Sequence, residues 1–333
     1  VTRRSSVEET VQIGGFETAR TGPEIRTANL KLGHYLLTVL GEGPFGDREI
    51  LDGMRRHEVI ERYLQTGGAP AQLQTVGQYR WAEAGFPVVS LGHKYAAALL
   101  VTHASEEAVA ATLPPFPAFI IEIPDGLIQC RGEDGAVEDV LSVLVLKTEY
   151  LARGLDWAWG YVAHSALGTT LYRYGVRTEE LLPPSLEGSH PSFDLYAGTV
   201  TDIDERAMAL IGRLVVNTCL AFSDATNVRA PKEQRARHRI NSAFTGRQEP
   251  GPTARVYVLA RPVRHDFRER VRQYMQGETK SAPNVQVMVS GYHRMQPYGP
   301  KSALRKLIWI EPFWRGPEDA PIGVRAHTFK GQP

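Results

Sequence analysis

The sequence predicts an α+β protein, and three observations carry the prediction. Apolar residues recur at helical spacing between Glu24 and Leu64. The pattern then turns to β-branched and aromatic runs between Ala118 and Lys147. A last, basic segment after Val228 mixes short strands with one helix. At 333 residues, 42% hydrophobic and 23% charged, the chain is long enough for a full core and too apolar for wholesale disorder. Composition divides it into a flexible arm at 1–22, a helical subdomain at 23–115, an antiparallel sheet with a long helix at 116–228, and a basic α/β unit at 229–333.

The elements follow in order. Leu30, Tyr35, Leu36, Leu37 and Leu40 line one side of a first helix. Ile50, Leu51, Met54, Val59, Ile60, Tyr63 and Leu64 line a second, which Gly67-Gly68 is expected to stop. Lys94 to Leu113 reads as a third helix ended by Pro114-Pro115. Ala118–Ile123 is strand-like and runs into the turn Pro124-Asp125-Gly126. Leu127–Cys130, Leu141–Lys147 and Trp157–Val162 are further strands, spaced as an antiparallel meander. Thr201 or Asp202 caps an amphipathic helix from Ile203 to Phe222. Residues 230–252, rich in Arg, Pro and Gly, read as an exposed basic loop. Beyond it come a strand at Arg255–Leu259, a helix at Asp266–Gln276, and strands at Asn284–Val289 and Leu304–Phe313. In the last strand Ile308 and Ile310 share one face and Trp309 takes the other. Trp309, Phe313 and Tyr292 are expected in the core.

Several function classes are disfavoured at once. No apolar run in the sequence approaches the roughly 20 residues that cross a bilayer, so a soluble protein without a membrane partner is expected. The first residues are basic but not followed by an apolar stretch, unlike a secretory signal. Two cysteines, Cys130 and Cys219, support neither a disulfide framework nor a four-ligand zinc site, which fits a reducing cytoplasm. The ten histidines stand singly, with no His-x-His or His-Glu-x-x-His spacing, so no metal and no cofactor are expected. Gly41-Glu42-Gly43-Pro44-Phe45-Gly46 matches the dinucleotide glycine pattern, but no βαβ unit surrounds it. A bend between two helices explains it better.

The net charge of +1 conceals a strong asymmetry. Residues 229–333 hold 20 of the 38 Lys and Arg but 8 of the 37 Asp and Glu, leaving 18 and 29 for residues 1–228. The balances are +12 and −11. A basic third of this kind points to a polyanionic partner, or to the two parts docking on each other. Its cations interleave with aromatics, as in surfaces that hold single-stranded nucleic acid or an extended peptide. The candidate contacts are Lys232, Arg235, Arg237, His238 and Arg239 in the first loop. In the last hairpin they are Tyr292, His293, Arg294, Lys301, Arg305, Lys306, Trp314 and Arg315. His265 and His293 are the candidate acid/base pair should the chain cleave RNA without a metal.

The final hairpin resembles a known family. Val289 to Gln296, then Gly299, then Leu307 to Phe313 and Gly316 are similar to the C-terminal signature of a type V-A anti-CRISPR family. Phe116–Ile123 and Ala230-Pro231-Lys232 resemble two further stretches of it. The resemblance implies a phage or mobile-element protein that suppresses production of a CRISPR effector at its messenger, through the nascent chain. The expectation is therefore a non-enzymatic binding protein that engages RNA or a nascent polypeptide, with the ribosome as one place of action. A metal-free ribonuclease and a phage structural or assembly protein are the alternatives.

Overall fold

The computed structural model describes residues 21–132, 135–150, 155–166, 170–176, 203–224, 228–235, 240–241, 248–249, 251–259, 261–276, 286–315 and 322–323. In chain order these form α1 (Gly22–Leu40), α2 (Asp47–Met54), α3 (Glu58–Glu83), β1 (Pro87–Leu91), α4 (His93–Leu100), β2 (Thr102–Ala104) and α5 (Glu106–Ala110). Then come β3 (Ala118–Glu122), β4 (Gln129–Arg131), β5 (Val137–Tyr150), β6 (Leu155–Ser165), β7 (Thr170–Val176) and α6 (Ile203–Ser223). The last part holds β8 (Lys232–Arg235), β9 (Ile240–Asn241), β10 (Gln248–Glu249), β11 (Thr253–Leu259), α7 (Arg268–Met275) and β12 (Gln286–Val289). It closes with β13 (Gly291–Tyr298), β14 (Leu304–Ile310), β15 (Phe313–Arg315) and β16 (Ile322–Gly323). The class is α+β, as the sequence predicts.

One mixed sheet organises the molecule, in the order β7-β6-β5-β3-β1-β11-β8, with β4 paired to β5. β3, β1 and β11 run parallel at its centre, while β5, β6, β7 and β8 are antiparallel to their neighbours. Side chains alternate across a pleated strand, so each register row faces one layer of helices. The row Val256, Val88, Ile120, Leu144 and Val162 packs under α1–α3. The opposite row, with Val89, Ile121, Val143 and Ala163, packs under α4, α6 and α7. Full burial of each such aliphatic side chain is worth about 1.5–3 kcal/mol.

Local signals explain the helix ends. Thr21 accepts from the Glu24 amide at 3.4 Å and the Glu24 carboxylate accepts from the Thr21 amide at 3.0 Å, a reciprocal cap with Pro23 in the first turn. α1 ends at Gly41, whose φ of 82° suits a residue without Cβ, and the glycine-rich stretch is the expected bend before α2.

Four details depart from the sequence reading. Gly68 (φ 56°) kinks α3 instead of ending it, and the helix continues past Pro70 to lay Leu73, Val76 and Trp81 on the sheet. The span 94–113 is not one helix. α4 stops at Leu100, the β-branched pair Val101-Thr102 leads into β2, and Ser105 caps α5 by accepting from the Ala108 amide at 3.2 Å. Residues 232–235 are an edge strand on β11 rather than loop. α6 is long and apolar enough to cross a bilayer, yet it is the central core helix: Leu210 to Ala221 are all buried. The composition boundaries near 115 and 228 fall within one sheet, which draws β1, β3–β7 and then β8 and β11 from the three segments in turn.

Candidate nucleic-acid interface

The candidate residues of the last hairpin lie on β13 and β14, which with β2 form a second sheet in the order β14-β13-β2. Register pairs Tyr292 with Ile310, Arg294 with Ile308, Gln296 with Lys306 and Tyr298 with Leu304; directly opposed residues share a face. The other face carries His293 opposite Trp309 and Met295 opposite Leu307, and it turns to the core. Between Gly291 and Ile310 the chain has four cations and no carboxylate.

A buried polar network fixes the base of this hairpin. Asn217 of α6, fully buried, donates through Nδ2 to the carbonyls of Leu99 (2.8 Å) and Thr102 (2.9 Å). That pins its amide, so Oδ1 accepts from His293 Nδ1–H at 3.0 Å. The Thr102 hydroxyl donates to Ala98 O (2.7 Å) and accepts from Trp309 Nε1 (3.1 Å). Trp309 stands edge-on to Tyr95, with ring centroids 5.6 Å apart. The backbone is tied as well: Ser105 N donates to His293 O at 2.9 Å. Gly291 sits where a Cβ would lie 2.4 Å from Thr102 Oγ1, so the close strand approach requires glycine.

The burial found here corrects several of the sequence expectations. His293 is 2% exposed, and burial, with the Arg261 charge second, pushes it down to about 3. A neutral imidazole sealed by Asn217 reaches neither a phosphate nor a leaving group, so His293 is a packing and hydrogen-bonding residue. Its proposed partner His265 lies half-buried against the Phe267 ring, on the segment between β11 and α7. Trp314 is half-buried, stacked on Phe267 with centroids 5.7 Å apart. Phe313, expected inside, is instead 42% exposed, and Tyr292 and Trp309 are half-buried.

The remaining candidates divide by location. Arg294, Lys301, Arg305 and Lys306 are exposed on the hairpin, and Tyr298 (48%) and Leu304 (49%) stand out at its free end. Gly299, Lys301 and Ser302 turn the chain there with positive φ. Arg305 approaches Glu107 at 3.5 Å, a half-exposed pair of little weight. Lys232 and Arg235 are exposed on edge strand β8 of the other sheet, and Arg315 on β15. Arg237, His238 and Arg239 lie outside the described residues. Among the described residues these cations occupy three places: the hairpin gathers four of them near exposed Tyr298, and Arg315 stands beside exposed Phe313 on β15. Other basic side chains of this third serve the fold: Arg255 Nε donates to Gly85 O at 3.0 Å, and Arg268 is clamped by Asp266.

Sequence reasoning missed a further cationic place. Lys94 follows β1, and Arg261 and Arg268 follow β11; the three line a crevice of about 490 Å³. Arg261 carries a recognisable signal only in the fold, its guanidinium lying over the Trp309 ring at 4.9 Å. Among the described residues no three His, Cys, Asp or Glu side chains converge as a metal site would need.

No family model matches the chain. No curated protein matches it either. Three solved chains match, among them the crystal structure of AcrVA2, an anti-CRISPR protein. That alignment covers 94% of this chain and 99% of the other at 10% identity, with a TM-score of 0.38. At this score the likeness is a weak structural resemblance.

Proposed function

We propose that the protein binds single-stranded RNA on the outward face of the β13–β14 hairpin and does so without catalysis. One observation carries the reading: Arg294, Lys306 and Tyr298 stand exposed beside half-buried Tyr292 on one strand face, in a stretch free of carboxylates. Guanidinium and ammonium groups run along phosphates, while rings of this kind offer sequence-tolerant stacking. From Tyr292 to Tyr298 the strand spans about 20 Å, room for a short run of nucleotides. The buried network at Asn217 holds the platform rigid against α6.

The role implied by the hairpin's family resemblance, suppression of a CRISPR effector at its messenger, belongs to this proposal and needs such a surface. A second reading has its own support: β14 is the outer strand of its sheet, so an extended nascent chain can add along its edge.

The test is fluorescence anisotropy with a labelled 16-nucleotide oligouridine at ~50–100 mM salt, where electrostatic binding is strong. Wild type binds, Arg294→Gln/Lys306→Gln weakens binding by about tenfold or more, and Tyr298→Ala by about five- to 100-fold. Absence of binding at that salt, or binding indifferent to all three substitutions, defeats the proposal.

A further inference from the structure

A crevice at the carboxyl ends of two central strands lies apart from the outward face of the hairpin. β1 and β11 are adjacent and parallel, in register from Pro87 with Arg255 to Leu91 with Leu259, so both chains leave the sheet at the same edge. β1 continues through Gly92 into α4, and β11 into the segment bearing Arg261 and Val263 before α7. The two exits and the first residues of both helices enclose the crevice, of about 490 Å³. That is within the size range of small-ligand pockets, and the place outside the carboxyl ends of parallel strands is where open α/β sheets take ligands.

The walls have a definite chemistry. Lys94, Arg261 and Arg268 face the same space. Arg268 is matched by Asp266, through Nε at 3.0 Å and Nη2 at 2.6 Å. Among the described residues, exposed Lys94 makes no hydrogen bond or ion pair and Arg261 makes no ion pair. Asp224 also lies within reach of Tyr95 on this wall, so among the described residues three cations meet two carboxylates, a local excess of one positive charge before any ligand binds. The Arg261 guanidinium lies over Trp309 at 4.9 Å, a contact that restricts its rotamers in advance. Tyr95 and Val263 supply apolar wall, and His93 stands at the open side. The free amides at the start of α4 add to the same potential, but the converging cations carry the case.

We infer that this crevice binds a phosphate-bearing small molecule of nucleotide size, its phosphate held between Lys94 and Arg261. An anionic phosphate suits the cationic excess and the fork geometry of arginine. The volume has room for a nucleoside or similar body beyond the phosphate.

The experiment is isothermal titration calorimetry on the full chain at 150 mM salt, with adenosine 5′-diphosphate, pyrophosphate and adenosine as probes. The diphosphate probes bind with one-to-one stoichiometry and adenosine does not. Lys94→Gln and Arg261→Gln each weaken binding by about tenfold or more, the loss expected for one charge-assisted contact. The hairpin variant Arg294→Gln/Lys306→Gln leaves it unchanged, so failure here and failure of the RNA reading are separable. Lys94 makes no hydrogen bond or ion pair among the described residues, and its variant decides alone if Arg261→Gln melts early. No heat from either phosphate probe at millimolar concentration, adenosine binding as tightly as the diphosphate, or undiminished binding by Lys94→Gln would overturn the inference.

Discussion

Replacing Asn217 by alanine removes three hydrogen bonds at a fully buried position. The Leu99 and Thr102 carbonyls each lose a donor, and His293 Nδ1–H loses its acceptor. A typical net hydrogen bond is worth about 0.5–1.5 kcal/mol, and a buried donor left unpaired costs about 1–3 kcal/mol. Together they give a loss of about 2–6 kcal/mol, a large part of the stability of a typical domain. Urea unfolding followed by tryptophan fluorescence measures it. A His293→Phe background takes away the orphaned donor, so there Asn217→Ala should cost about 1–3 kcal/mol less, a coupling that a double-mutant cycle isolates. Hydrogen exchange in 291–298 should also rise, because β13 is the strand these bonds hold against α6. A loss under about 1 kcal/mol, with no coupling to His293, would refute the account of how the hairpin is fixed.

Other outcomes follow from the same structure. His103 and His293 are pushed down to about 3, in both cases first by burial and then by a neighbouring arginine, and His164 to about 4 by burial. Unfolded histidine titrates near 6.5, so below that pH the unfolded chain binds more protons. Stability is full above about pH 6.5 and falls as pH drops towards 4, by up to about 1.4 kcal/mol per unit for each histidine. A urea midpoint flat between pH 7 and pH 5 would contradict this. Gly291→Ala places a methyl against Thr102 Oγ1 and Pro312 Cδ and should cost about 1–3 kcal/mol by thermal or urea unfolding, against no change if β2 and β13 can part freely. Cys130 and Cys219 are both buried, and burial raises both thiols, Cys130 to about 12. A chromogenic disulfide reagent should find no reactive thiol in the native protein and two in denaturant; rapid native labelling would count against the packing of α6.

Much of the fold was legible because its signals are local. The long core helix, the strands at Ala118–Glu122 and Thr253–Leu259, and the bend at Gly41 each follow from periodicity or turn chemistry within a few residues. What escaped was settled at a distance. Nothing near Pro87–Leu91 announces a central strand, because its partners lie 30 residues later on one side and almost 170 on the other. Gly67-Gly68 reads as a stop, yet the sheet below offers a surface for Leu73, Val76 and Trp81 that makes a kinked continuation the better solution. The site shows the same division. Exposure of Arg294, Lys301, Arg305 and Lys306 follows from their charge. Burial of His293 does not, since it depends on an asparagine 76 residues earlier. The crevice was invisible because Lys94 and Arg261 meet only through the parallel pairing of β1 with β11.

The salt dependence of oligouridine affinity tests the RNA surface most directly. Phosphate contacts release counterions in proportion to their number, with a log–log slope near −0.7 per contact for single strands. Three contacts from Arg294, Lys301 and Lys306 give a slope of about −2, and Arg294→Gln/Lys306→Gln should reduce its magnitude by about 1.4. A slope near zero, or one the double substitution leaves untouched, would mean that the hairpin cations do not lie along a nucleic-acid backbone.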